Sequence, residues 1–232
     1  MNKISILANI SKKLKIGKNN FIGDNVKIWD DVIIGNNNKI FENTIIYPNT
    51  IIGDNNVILN DNIIGEFAIE AKYDFVEKKF RGLEIGNNNF FHIKNIIFNG
   101  FHNKSLIGNN NKILAELHMG HDVEIENNVV IYPRVLIGGK SKLQSNSGMG
   151  TGSFIQQNLV MGEYSFTAML NPIVKNCLPF FIYKDNKPYR MNYHRVPKEW
   201  HQYEKQLLEK NYENLPEEII KIINKFNNSI NI

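Results

Sequence analysis

The sequence predicts an all-β solenoid: a left-handed parallel β-helix of six-residue repeats, followed by a short α-helical extension. Isoleucine recurs at every sixth position from Ile4 to Ile64, glycine often follows it, and the sequence changes character near Pro179. An amphipathic helix needs apolar spacings of three and four, and a half-buried strand alternates with period two, so neither fits. Period six instead describes short strands and corners wound repeatedly around a common axis.

The predicted core is the stack of isoleucines spaced six residues apart between Ile4 and Ile64. Their β-branched side chains suit an extended backbone, and burying each one stabilises the fold by roughly 1.5–3 kcal/mol. Glycine or asparagine is expected at the corners, where the backbone turns or takes a positive φ. We also expect asparagine amides to stack and hydrogen-bond from coil to coil, at Asn20, Asn38, Asn56 and Asn62.

The six-residue register breaks twice, which predicts two loops expelled from the solenoid, near residues 65–84 and 99–105. From Ile107 the rhythm then continues to Ile173, and we predict a β-helix over residues 1–180. Because repeat proteins usually bind ligands where loops leave the stack, these loops are candidate parts of a site.

Residues 181–232 are predicted to form the helical extension, an αα-hairpin that packs on the β-helix or on a neighbouring subunit. Pro197 suits the first position of one helix, and a second helix begins near Pro216. The expected apolar faces are Trp200, Tyr203 and Leu207 in the first helix, and Ile219, Ile223 and Phe226 in the second.

Composition excludes several classes of protein. The 232 residues carry a net charge of +4, and the basic residues are scattered, unlike those of a nucleic-acid-binding face. The lone Cys177 excludes an intramolecular disulfide framework. Apolar runs are too short for a membrane span, and residues 1–10 lack the apolar segment of a signal peptide. We therefore expect a cytoplasmic protein that does not bind nucleic acid and has no membrane span.

The segment from Glu116 to Asp122 is the main candidate for chemistry. Met119 continues the inward stack, so His121 lies near a corner and points outward. A histidine beside a carboxylate suits general-base catalysis, since its pKa lies near neutrality and Asp122 can orient the ring. The alternative is that His118 and His121 are two surface histidines without a catalytic role.

Other polar features give weaker predictions. Lys140 and Arg134 suit either phosphate binding or solvated corners, and the glycines at 148–152 resemble a phosphate loop only superficially. The remaining histidines have no partner at a metal-ligand spacing, so no metal site is expected: His92, His102, His194 and His201.

The sequence resembles the hexapeptide acyltransferases related to the UDP-N-acetylglucosamine O-acyltransferase of lipid A synthesis. The similarity rests on Ile-Gly-Glu at 64–66, Glu-Ala-Lys-Tyr at 70–73, Leu-Glu-Ile-Gly at 83–86 and His-Met-Gly-His-Asp at 118–122. It is weak over residues 1–195 and without gaps over residues 118–162. It implies a homotrimer with active sites between adjacent β-helices, a nucleotide-sugar substrate and an acyl thioester donor.

The resemblance also implies roles for individual residues. His121 is the general base and Asp122 supports it. His118 contacts the sugar, the expelled loop approaches the sugar or its diphosphate, and Gln157 lies near the nucleotide base. The loop residues are Glu70, which replaces the family's aspartate, Lys72 and Tyr73. The donor's pantetheine arm is expected along Gly138, Gly139, Lys140, Gly150 and Asn192.

Two departures from the lipid A enzymes shift the expected reaction. Those enzymes have histidines where this chain has Phe98, Lys140 and Gln156, and a basic glycine-leucine-lysine-arginine stretch where it has residues 192–198. We therefore expect N-acylation of a dTDP- or UDP-linked amino sugar for surface polysaccharide or lipopolysaccharide synthesis. The expected cosubstrate is acyl-CoA, with no tightly bound cofactor.

Three alternatives remain. The first is O-acylation of UDP-N-acetylglucosamine with an acyl carrier protein (acyl-ACP) as donor. The second is a zinc enzyme of the carbonic-anhydrase type, which the three-residue spacing of His118 and His121 does not match. The third is a non-catalytic scaffold, because a fold alone does not define a function.

Overall fold

The computed structural model describes residues 1–68 and 81–230. The chain winds into a left-handed parallel β-helix with three sheets as its faces, which confirms the fold predicted from period six. Each coil gives one strand to each sheet, and a strand pairs with the one 18 residues further on, as Lys3 pairs with Phe21. We number the sheets in the order in which the chain visits them.

The strands are mostly two residues long. Sheet 1 contains Lys3–Ile4, Phe21–Ile22, Lys39–Ile40, Val57–Ile58, Phe90–Phe91, Lys112–Ile113, Val130–Ile131, Gly148–Met149, Phe166–Thr167, Phe181–Lys184 and Lys187–Met191. Sheet 2 contains Asn9–Ile10, Lys27–Ile28, Ile45–Ile46, Ile63–Glu66, Ile96–Phe98, His118–Met119, Leu136–Ile137, Phe154–Ile155 and Pro172–Ile173. Sheet 3 contains Lys15–Ile16, Ile33–Ile34, Thr50–Ile52, Leu83–Ile85, Ser105–Ile107, Glu124–Ile125, Lys142–Leu143 and Val160–Met161.

The stacked isoleucines form the core. Those spaced six apart from Ile22 to Ile64 are at most 3% exposed, as predicted. Ile4 is an exception at 45% exposed, because the first coil is packed from one side only. Asparagines stack as expected: the Asn56 amide donates to Asn38 Oδ1 at 3.0 Å, and Asn89 donates to Asn56 Oδ1 at the same distance.

Glycine and asparagine have different roles at the corners, which corrects the expectation that either one serves the turn. Positive φ occurs mainly at asparagine and aspartate, such as Asn19 and Asp31. Gly17 and Gly35 are not among the residues with positive φ. A Cβ on Gly17 would lie 2.6 Å from the carbonyl oxygen of Gly35 in the next coil. These glycines are needed because the coils approach closely.

Both insertions leave the solenoid at the corner between sheets 2 and 3. Val57 pairs with Phe90, 33 residues on, and Phe90 pairs with Lys112, 22 residues on, instead of 18. Strands occupy both ends of the loop predicted at 65–84, which is therefore shorter than expected. The second insertion spans residues 99–104, because the predicted last residue, Ser105, begins a strand.

The C-terminal extension is not helical from residue 181, which corrects the prediction. An antiparallel hairpin, Phe181–Lys184 with Lys187–Met191, first extends sheet 1, because buried Phe181 and Tyr183 alternate with outward residues. A 3₁₀ turn at Lys198–Tyr203 then leads into α1, Glu204–Leu208, and α2 spans Glu217–Ile230.

Helix α2 packs on the outer surface of sheet 3. Its buried stripe is the predicted one, Ile219, Ile223 and Phe226. Lys225 pairs with Glu126 and, at 3.5 Å, with Glu163. Burial raises the pKa of Glu163. Burial also works to raise the pKa of Glu126, but Lys225 and Ser145 together bring it below its ordinary value. In the described residues no helix is long and apolar enough to cross a membrane.

Candidate active site

The corner between sheets 2 and 3 brings together six of the nine predicted site residues that the structure describes. In three successive coils it is formed by residues 120–122, 138–140 and 156–158. His121, Gly139 and Gln157 therefore take equivalent positions, one above the other. The coils are tied together by the N–H of Asn158, which donates to Gly139 O at 3.0 Å.

His121 and Asp122 form a hydrogen-bonded pair. The distance from His121 Nδ1 to Asp122 Oδ2 is 2.7 Å, and the two side chains are 17% and 2% exposed. Because an ionised carboxylate can only accept hydrogen bonds, Nδ1 carries the hydrogen. In the neutral ring Nε2 is then the acceptor, which is the state a general base needs.

The second insertion fixes Asp122. Its Oδ1 accepts hydrogen bonds from the backbone N–H groups of Phe101, His102 and Asn103, at 3.0, 2.9 and 2.7 Å. We call these three N–H groups the amide clamp. With Oδ1 held by the clamp, Oδ2 is the oxygen that faces His121.

Glycines create the space around Nε2. A Cβ on Gly139 would lie 2.9 Å from His121 Nε2, so a side chain there would crowd the ring. A Cβ on Gly120 would lie 2.7 Å from Gly139 N, and one on Gly138 would overlap the backbone of Gln157. Gly138 and Gly139 thus serve the site by close coil packing, and their contact with a donor remains a prediction.

His118 lies on the outer face of sheet 2, between Ile96 and Leu136 of the adjoining coils. Its ring centroid is 5.1 Å from that of Phe98. Burial lowers the pKa of His118, so its ring is neutral near pH 7 and offers one donor and one acceptor. His118 lies in the strand that precedes the corner, and His121 lies within the corner.

A polar cleft of about 330 Å³ borders the corner on the side of sheet 3, where the end of α2 forms one wall. Asp122 and Lys140 line it from the corner, as does Asn103 from the second insertion. Ser229 and Ile230 line it from α2.

The sequence does not predict the places of Asn103, Ser229 and the amide clamp in this site. Asn103 and Ser229 lie far apart in the chain and line the same cleft only after folding. Backbone donors such as those of the clamp leave no side-chain signature. The break in register at 99–105 was the available signal. The spacing of the histidines does not single out His102, yet its ring centroid lies 6.3 Å from that of His121.

Two predicted donor contacts lie apart from this corner. Gly150 lies at the corner between sheets 1 and 2, where its N–H donates to Thr167 O at 3.0 Å. Asn192 is 3% exposed, and its side-chain nitrogen donates to Tyr164 O at 2.9 Å. This amide fastens the C-terminal extension to the solenoid, and the contact of Asn192 with a donor remains a prediction.

The predicted loop contacts Glu70, Lys72 and Tyr73 lie outside the described residues. Gln157 is exposed at the corner, one coil above Gly139. Within residues 1–68 and 81–230, no group of three or more histidine, cysteine, aspartate or glutamate side chains is arranged to hold a metal ion.

Comparison with known proteins supports the class suggested by the fold and site. The family model "Bacterial transferase hexapeptide (six repeats)" matches residues 104–139, which include the whole segment around His121. Residues 104–139 of this β-helix are therefore similar to hexapeptide-transferase repeats, which confirms the resemblance predicted from the sequence.

Within that class, the chain is similar to UDP-N-acetylglucosamine acyltransferases. It is 27% identical over 82 residues to the acyl-[acyl-carrier-protein]–UDP-N-acetylglucosamine O-acyltransferase of Sinorhizobium fredii, covering 35% of this chain and 30% of that one. It is 28% identical over 81 residues to the enzyme of the same name from Burkholderia orbicola, covering 35% and 31%. These matches span about a third of the length of the curated relatives.

Solved structures share the fold over nearly the whole chain. The UDP-N-acetylglucosamine acyltransferase of Campylobacter jejuni superposes with a TM-score of 0.86 at 22% identity, covering 96% of this chain and 95% of that one. The corresponding protein of Francisella novicida gives 0.84 at 24% identity, covering 98% and 88%. At these identities the likeness establishes the architecture, and the reaction must be argued from the site.

Proposed function

We propose that the protein is an acyltransferase that moves an acyl group from a thioester to the sugar of a UDP-linked N-acetylglucosamine. The observation that carries this proposal is the His121–Asp122 pair, whose Nε2 opens over Gly139 at the corner where both insertions leave. The curated relatives, named as O-acyltransferases of UDP-N-acetylglucosamine with a carrier-protein donor, support the choice of substrates.

In the proposed reaction His121 Nε2 takes the proton of the sugar hydroxyl as its oxygen attacks the thioester carbonyl. A C–O bond forms, the C–S bond breaks, and the imidazolium returns the proton to the departing thiolate. Asp122 holds the ring in the useful tautomer and stabilises the positive charge that develops on it. His118 would bind the sugar beside the base.

A second candidate is the N-acylation of a nucleotide-linked amino sugar, with acyl-CoA as donor. The structure favours it in one respect, because Phe98 packs directly against His118. Lys140 lines the cleft beside Asp122. Phe98 and Lys140 would give the acceptor sugar an apolar ring and a cation in places where the lipid A enzymes have histidines.

We also propose a homotrimer, which the resemblance implies. Leu136 and Phe154 are exposed on sheet 2, and Met169 and Leu170 are exposed on the corner between sheets 1 and 2. A cyclic assembly would cover these apolar side chains and place a second copy beside His118. Sedimentation that shows a fully active monomer would contradict this proposal.

The function is tested by a matrix of donors and acceptors. Acetyl-CoA, a 3-hydroxyacyl-CoA and an acyl carrier protein thioester are each combined with UDP-N-acetylglucosamine and with a UDP-linked sugar bearing a free amine. We expect turnover with the carrier-protein thioester and UDP-N-acetylglucosamine. Turnover confined to CoA thioesters and the free amine would establish the second candidate. No acyl transfer in any combination would contradict both.

A further inference from the structure

We propose that the second insertion, residues 99–104, is the device that positions the base, with Gly100 as its key positioning residue. Its effect on turnover rests on the proposed acyl transfer, whereas its effect on the Asp122 carboxylate does not. The insertion adds four residues to an otherwise regular coil, and it does so directly beside the corner that holds His121.

The amide clamp has the geometry of an anion-binding nest. Three consecutive N–H groups converge on one oxygen, Asp122 Oδ1, within 3.0 Å. Successive N–H groups in such a turn are usually found around phosphate and other anions. Here the bound anion is a side chain of the same protein, and it is almost wholly buried.

The loop adopts this shape because residue 100 is glycine. A Cβ on Gly100 would overlap the carbonyl oxygen of Asn103 and lie 2.9 Å from Lys104 Cα. The chain therefore folds back tightly over Gly100. An alanine there would force the turn open and separate the three N–H groups from Asp122.

The loop is also anchored to the residues that close the first insertion. Gly100 O accepts from Arg81 N–H at 3.0 Å, and Gly100 N–H donates to Gly82 O at 3.2 Å. Asn99 Oδ1 accepts from Gly82 N–H at 2.7 Å. Gly82 has a φ of +114°, which suits glycine alone, so this anchor also depends on residue type.

The clamp determines where Nε2 points. Asp122 projects from a left-handed backbone position at φ +58°, and the clamp occupies Oδ1. Oδ2 is then directed at His121 Nδ1, which sets the tilt of the ring. If the Asp122 carboxylate rotates, His121 Nε2 moves away from the sugar hydroxyl that it is proposed to deprotonate. A displacement of about 1 Å in a catalytic group can cost about 10²-fold in rate.

The test is the variant Gly100→Ala. We expect kcat to fall by about 10²-fold, while KM for both substrates stays within about twofold, because the base is misplaced and the binding surfaces remain. Lys104→Ala is the control within the loop, since it removes only a surface pair with Glu84. Gly23→Ala is the control for adding a methyl group to a packed corner away from the site. Both controls should retain the wild-type kcat.

A second readout needs no substrate. In the wild-type protein the His121 Nδ1 proton should give a downfield, exchange-protected resonance by NMR, assigned by its loss in His121→Gln. Gly100→Ala should lose this resonance, whereas Lys104→Ala should keep it. If Gly100→Ala does not fold, His102→Pro is compared with His102→Ala. Both lack the imidazole ring, but only the proline lacks the N–H donor. The proline variant should lose the resonance and fall further in kcat.

The outcomes separate the two proposals. A Gly100→Ala protein that keeps both the resonance and the wild-type kcat overturns the positioning role. A lower kcat with the resonance intact overturns it as well, because the loop would then act by another route. If the wild-type protein shows no acyl transfer with any donor and acceptor, the proposed function is rejected. Loss of the resonance in Gly100→Ala would still support the clamp in that case.

Discussion

Asp31 and Asp122 occupy the same place in the fold, yet only Asp122 belongs to the candidate site. Both are the left-handed residue at the corner between sheets 2 and 3, with φ of 57° and 58°. Asp31 lies exposed among regular 18-residue coils. Asp122 lies beside an insertion and is buried by the amide clamp. The repeat determines the backbone position of both residues. The inserted loop buries the Asp122 carboxylate and fixes its orientation.

The residues preceding them differ in the same way. Asp30 precedes Asp31 and pairs with Lys13 at 3.2 Å on the surface, a contact that contributes little because both side chains are exposed. His121 precedes Asp122 and is held in one tautomer by a buried partner. A polar corner becomes chemically useful when its environment fixes the orientation of the side chains.

The largest expected effect concerns the core beneath both regions. Ile34→Asp places an unpaired charge at a position 2% exposed, a change expected to cost more than about 4 kcal/mol and to prevent stable folding. Ile4→Asp, at the open first coil, should fold with little change. Thermal unfolding followed by circular dichroism measures both. A cooperatively folding Ile34→Asp protein with wild-type Tm would contradict the inward stack.

The next effect separates the two corners in activity. His121→Ala should lower turnover by about 10²–10⁴-fold without changing Tm, because it removes the proposed general base. Asp30→Ala, at the equivalent position of a regular coil, should leave turnover unchanged. Steady-state rates on the true donor and acceptor across pH 6–9 provide the check. Wild-type turnover in His121→Ala would remove the histidine from the mechanism.

A smaller effect is expected when the charge alone is changed. Asp122→Asn keeps a residue that tolerates positive φ but puts an amide where His121 Nδ1–H needs an acceptor, which favours the wrong tautomer. Turnover should fall by at least about tenfold, but less than in His121→Ala. Asp31→Asn makes the same change at an exposed corner and should have no effect. Equal rates for the two variants would show that the clamped carboxylate is not used.

The regular part of the molecule is the part that the sequence predicts well. Period six determines the inward stack and, with it, the corners, because each isoleucine must meet the one above and below. The positions of the two insertions also follow, since they interrupt the period. His121 and Asp122 were found because a histidine–aspartate pair fell at a corner, next to the inward Met119.

The details of the site escaped prediction for physical reasons. The amide clamp consists of backbone donors, so any residues other than proline at 101–103 could give the same hydrogen bonds. The only traces in the sequence are the break in register at 99–105 and Gly100. The hairpin at 181–191 was missed because two short strands carry no six-residue period. The burial of Asn192 escapes prediction for the same reason, since it depends on that hairpin.

The smallest expected effect concerns α2, which forms one wall of the cleft. Lys225 faces the half-buried Glu126 and Glu163, so Lys225→Met should lower Tm by at least about 2–4 °C at pH 8. Lys221→Met is the control, since Lys221 pairs with Glu217 on the exposed face of the same helix. It should change Tm by less, because exposed pairs contribute little.

The pH dependence of this effect follows from the two carboxyl groups. The pKa of Glu126 is lowered in the fold, so its stabilisation is present above its ordinary pKa and is lost as the pH falls through the lowered value. The pKa of Glu163 is raised, so this group protonates first on acidification and then no longer needs the cation. Without Lys225 both carboxylates are uncompensated at pH 8, and protonation relieves them. The difference in Tm between the wild type and Lys225→Met should therefore be largest at pH 8 and shrink towards about pH 4. A difference that stays constant over this range would show that Lys225 stabilises α2 by packing and not by its charge.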